Sequence, residues 1–167
     1  MKRIRFLTLF AIAVVSLVAS ASPAAEPAWF DLENCAFCKH LGENPGLLDH
    51  VTWENHPIDR GLLMIATVDA EYREAYHDAM AAMEELGAKM QRGEIDPTSV
   101  TMCGSCLAYG ALIMSGAKVE TIETATGDIT LLTADEPKLV AKIHAYAERN
   151  AEELAKLEAV ETPRPVH

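Results

Sequence analysis

Apolar residues recur at helical spacing in two long stretches of the chain. Tyr72, Tyr76, Ala79, Met80, Met83 and Leu86 make one stripe, and Leu139, Val140, Ile143, Ala147 and Leu154 make another. Steps of three and four residues predict two amphipathic helices, each with one buried face. Asp69 and Asp135 stand where N-caps belong, and Pro137 falls in a first turn, where its missing N–H is harmless.

Ahead of each helix the period shortens. VTWEN (51–55) with LLMIATV (62–68), and KVETIET (118–124) with DITLLTA (128–134), read as two strand pairs. Thr126-Gly127-Asp128 predicts a tight hairpin turn, and HPIDRG (56–61) a longer one. The stretch Leu62 to Val68 is apolar on both faces, which would permit a homodimer through the sheet. Two shorter helical segments open at Cys35, behind Asn34 as N-cap, and at Cys103, behind Thr101. Gly42 interrupts the first, and Ser115-Gly116 ends the second.

The order of features repeats. Cys35, Cys38, Gly42 and Val51 match Cys103, Cys106, Gly110 and Val119 at a constant offset of 68 residues. GLLMIATVDAEY (61–72) then matches GDITLLTADEPK (127–138), and MEEL (83–86) has AEEL (151–154) as its counterpart. The expectation is an internally duplicated α+β domain of helix–β-hairpin–helix units, repeat 1 at about 33–90 and repeat 2 at about 101–158. Together they form one pseudo-twofold domain over 26–160, with a four-stranded, mostly antiparallel sheet covered by helices. GEIDPTS (93–99) links the halves, and 161–167 is read as a frayed tail.

Composition places this domain. Residues 1–21 combine Lys2, Arg3 and Arg5 with an apolar run from Phe6 to Val18 and small residues at 19–21. That is a secretory signal peptide cleaved near 21–25, predicting export to a periplasmic or extracellular compartment. The whole chain carries 14 Lys+Arg against 25 Asp+Glu, a net charge of −11. Such a surface argues against nucleic-acid binding, and no other run is long enough for membrane insertion.

All four cysteines belong to the two CxxC pairs. Three chemistries fit them. As thiolates, Cys35, Cys38, Cys103 and Cys106 supply the four soft ligands of one tetrahedral ion, copper or zinc. His40, two residues beyond Cys38, and Met102, beside Cys103, are additional candidate ligands. As dithiols, the same four would be redox-active, because a cysteine in the first turn of a helix gains thiolate character. The βαβ unit that leads into a thioredoxin-type motif is missing, however. As disulfides, they would staple an interaction domain. CAFCKH approaches the haem-attachment form CxxCH, but Lys39 follows Cys38 and Leu107 follows Cys106, so no haem is expected. His77, Met80 and Met83 share a helix in a way copper could use, yet both methionines lie on the packing stripe.

No catalytic signature stands out: no HExxH, phosphate loop or dinucleotide glycine pattern. The sequence reads as a non-enzymatic binding protein whose partner is a metal ion, with a redox or protein partner as the alternative.

Overall fold

The computed structural model describes residues 26–161, with side-chain surroundings through residue 156. The expected leader and the tail from 162 onward lie outside the described residues. The elements run α1 (Lys39–Gly42), β1 (Val51–Ile58), β2 (Gly61–Val68), α2 (Arg73–Gln91), α3 (Gly104–Met114), β3 (Lys118–Thr124), β4 (Gly127–Thr133) and α4 (Pro137–Glu161). Single turns of 3-10 helix at Leu47–His50 and Pro97–Ser99 precede β1 and α3. The class is α+β, with four antiparallel strands in one open sheet and four helices.

The sheet order is β1-β2-β4-β3, so each hairpin contributes one central and one edge strand. The two hairpins meet in an antiparallel β2–β4 ladder centred on Met64 opposite Thr130. At its ends Gly61 faces Thr133 and Gly127 faces Thr67. Both glycines have positive φ, 153° and 146°. A Cβ on Gly61 would overlap the Leu132 carbonyl, and one on Gly127 the Ala66 carbonyl. Only glycine lets the central strands approach so closely at these two points.

Among the described residues, helices cover one face of this sheet only. Leu62 and Leu132 pack with Leu112 of α3 and with Leu139, Ile143 and Ala147 of α4. Val51, Ala66 and Val68 pack with Leu47 and with Tyr76 of α2. The alternate residues Leu63, Ile65, Ile129 and Leu131 belong to neither cluster and point to the other side, as the strand period of two requires. The expected sheet covered by helices is thus covered on one face.

Both helical stripes lie where the periodicity puts them, but several local details differ. The first hairpin turn is as short as the second, Asp59-Arg60 against Ala125-Thr126, because β1 continues through Pro57. Pro57 is tolerated there since β1 is an edge strand and needs no donor at that position. Asp69 and Asp135 do not cap. Asp69 Oδ2 lies 2.8 Å from His50 Nδ1, and Asp135 bridges Arg60 and Lys118. Across the molecule, His144 of α4 holds the β1–β2 turn, its Nε2 3.0 Å from the carbonyls of Ile58 and Gly61.

Candidate metal centre

The two cysteine pairs reach one another through a short chain of backbone contacts. Residues 32–38 form successive turns rather than a full helix, and Lys39 N donates to Cys35 O as α1 begins. The turn is capped by Asp31 rather than Asn34: its Oδ1 accepts the backbone N–H groups of Glu33 and Asn34 at 3.1 and 2.8 Å. These hydrogen bonds hold the Asp31 carboxyl below the usual range, the Asn34 N–H most of all. Cys103 is itself the N-cap of α3, with extended backbone (ψ 168°). Thr101 does not cap. Its carbonyl instead accepts Ala36 N–H at 2.9 Å, tying the two cysteine segments directly together.

The free N–H groups at the start of α3 find backbone partners upstream. Gly104 N donates to Ala28 O at 2.8 Å, and Ser105 N to Trp29 O at 2.9 Å. Trp29 lies so close that a Cβ at Gly104 would come within 2.9 Å of its ring. Its indole N–H donates to Asn150 Oδ1 at 2.8 Å, and Ser105 Oγ reaches the same oxygen at 3.2 Å. The segment at 28–29, α3 and α4 are therefore locked together beside the cysteines.

The result is a sulfur cluster. The Sγ atoms of Cys35, Cys38, Cys103 and Cys106 all lie within 4.8 Å of one another. Cys38 is 3.4 Å from Cys106 and 3.6 Å from Cys103, and Cys35 is 3.6 Å from Cys106. Four thiolates at about 2.3 Å from a central ion sit about 3.8 Å apart along the edges of a tetrahedron, so these separations fit a metal. A disulfide needs about 2.05 Å, and all four cysteines are free. Cys35, Cys38 and Cys103 are buried and pack with Phe37, while Cys106 is half-buried.

The thiols of the cluster oppose one another's ionisation. Hydrogen bonds from the Cys106 and Cys38 thiols, and from the Cys106 backbone N–H, hold the Cys103 thiol far below its ordinary range. Cys38 and Cys106 are pushed up, chiefly by that interaction with Cys103 and also by burial. Without a cation, one thiolate thus suppresses ionisation of its neighbours. A bound ion reverses this, since coordination stabilises every thiolate at once. The N-terminus of α3, with Cys103 at its cap and Cys106 in its first turn, adds partial positive charge.

The four cysteines singled out by spacing are thus the ones brought together. His40 is not in the cluster: its Nδ1 lies 3.2 Å from Glu43 Oε2. Met102 is half-buried next to Cys103. Met80 packs against the α2 core. Spacing did not single out Trp29, Ser105 and Asn150. Asn150 had a signal, because it continues the buried stripe of α4 three residues past Ala147 and is 7% exposed. A polar residue at such a position needs a partner. Neither a family model, nor a curated protein, nor a solved structure matches this chain.

Proposed function

We propose that this protein is an exported, non-enzymatic metal-binding protein that holds one soft metal ion through the two CxxC pairs. The supporting observation is the convergence of all four sulfurs at tetrahedral spacing in a largely buried site. Four sulfurs complete a tetrahedron, leaving His40 and Met102 outside the ligand set. Between zinc and copper, a closed set of four thiolates suits zinc, which takes four-coordinate tetrahedral sites for structural purposes. The ion would clamp the segment of Cys35 and Cys38 to the start of α3.

Internal duplication belongs to the same reading. The central ladder is supporting evidence: the glycine opening each of β2 and β4 faces the last threonine of the other strand, and Met64 and Thr130 share a matching place in the repeat. Gene doubling would double a CxxC pair into a four-ligand centre in one step. Export rests on the residues at 1–21, and among the described residues no helix is long and apolar enough to cross a membrane.

Cobalt substitution tests the reading. The metal-free protein titrated with Co(II) is expected to develop the intense visible bands of a tetrahedral thiolate complex at one ion per chain, displaced by one equivalent of zinc. Pale octahedral cobalt, or saturation at two ions, would sink it. A redox dithiol protein would bind no cobalt after oxidation and would show instead a reversible two-electron couple.

A further inference from the structure

The central strand β2 is apolar on both sides, the pattern of a strand covered on both faces, yet among the described residues every helix packs on one side of the sheet. On the bare side, pairing aligns the residues in rows. One row runs His56, Leu63, Leu131, Glu120, and the next Glu54, Ile65, Ile129, Ile122. Four aliphatic residues thus occupy the middle, and Ile122, 57% exposed, extends them onto β3. A solvated antiparallel face is usually polar; here that holds along Thr52, Glu54 and His56 of β1 and fails at the centre and at Ile122.

We propose that this face packs against the same face of a second copy, giving a twofold sandwich of two four-stranded sheets. Size, charge and symmetry select that occupant. Four strands about 4.8 Å apart and seven residues long at about 3.4 Å each give a plan area of roughly 450 Å² per copy. Two copies then reach roughly 900 Å², below the roughly 1,200 Å² of standard stable interfaces and in the range of weak, transient ones. Although the chain carries −11, this face holds little of that charge. A twofold axis along the strands lays β1 over β3 of the second copy. Leu63 then meets Leu131, and His56 meets Glu120, each contact occurring twice. Aligned sheets pack this way about 10 Å apart.

Sedimentation equilibrium of the zinc-loaded chain over roughly 5–200 µM, a range that reports weak association, tests the proposal. The expected result is a monomer–dimer equilibrium that Ile122→Glu, which would face Glu54 of the second copy, and Ile65→Glu each weaken at least tenfold, with unchanged circular dichroism. If Ile65→Glu unfolds, Ile122→Glu decides, because that side chain is already exposed. Glu120→Lys should weaken the dimer too, and His56→Glu in the same chain should restore it; no restoration would overturn the strand-parallel axis. A wild-type chain that stays monomeric at the highest concentration overturns the proposal, as does a dimer indifferent to both isoleucine changes. Metal content, measured on the same samples, reports separately on the thiolate centre.

Discussion

Residue by residue, the chemistry rests on a few buried groups whose partners are not interchangeable. Replacing Cys38 or Cys103 by serine removes a buried ligand and should abolish chelator-resistant zinc. If zinc is held at about a thousand times its dissociation constant, its loss forfeits about 4 kcal/mol. For a domain this size that lowers the unfolding midpoint by roughly 10–15 °C in calorimetry. Tyr76 gives a second residue-level test. Its hydroxyl donates to Asp128 Oδ2 at 2.5 Å inside the core, and burial together with that carboxylate pushes its pKa far up. A raised folded pKa stabilises fully below the unfolded value of about 10, and the contribution is lost as pH rises above it. Tyr76→Phe should therefore cost about 2 kcal/mol at neutral pH, by leaving Asp128 without its donor. The gap to wild type should narrow in urea titrations above about pH 10. A gap that widens there would contradict the assignment.

Among the elements, the glycines opening β2 and β4 carry the tightest constraint. Gly61→Ala or Gly127→Ala would drive a methyl into the neighbouring strand at positive φ, and should destabilise by more than about 3 kcal/mol in denaturant unfolding. Trp29→Ala should cost about 2 kcal/mol or more, since it removes the ring against Gly104 and leaves Asn150 short of a donor. It should also speed zinc loss to a chelator, because the start of α3 is then less firmly held. An unchanged rate would separate that clamp from the metal site. Much of this level was legible beforehand. The stripes of α2 and α4, the four strands and the stop at Ser115-Gly116 follow from period and turn chemistry. The caps were not legible: a side chain such as Asp69 suits a cap as well as a hydrogen bond to another side chain, and distant neighbours such as His50 decide between them. Nor could local rules show that Trp29 crosses the start of α3, a contact spanning some seventy-five positions of sequence.

At the scale of the whole molecule, the cysteine spacing singled out the four residues of the cluster but did not show that they meet. Sixty-four residues separate Cys38 from Cys103. The pairing of β2 with β4, the Ala36–Thr101 hydrogen bond and the contacts of residues 28–29 with the start of α3 bring the two pairs into one cluster. The same separation makes a bound ion a long-range staple, joining the start of the first hairpin unit to the start of the second. Native mass spectrometry of the protein taken from its own compartment, followed by denaturing alkylation, tests the central claim most directly. One zinc ion per chain, lost on denaturation to reveal four alkylatable thiols, is the predicted result. A metal-free chain four hydrogens lighter than the reduced mass, refusing alkylation, would show two disulfides in place of a thiolate metal centre.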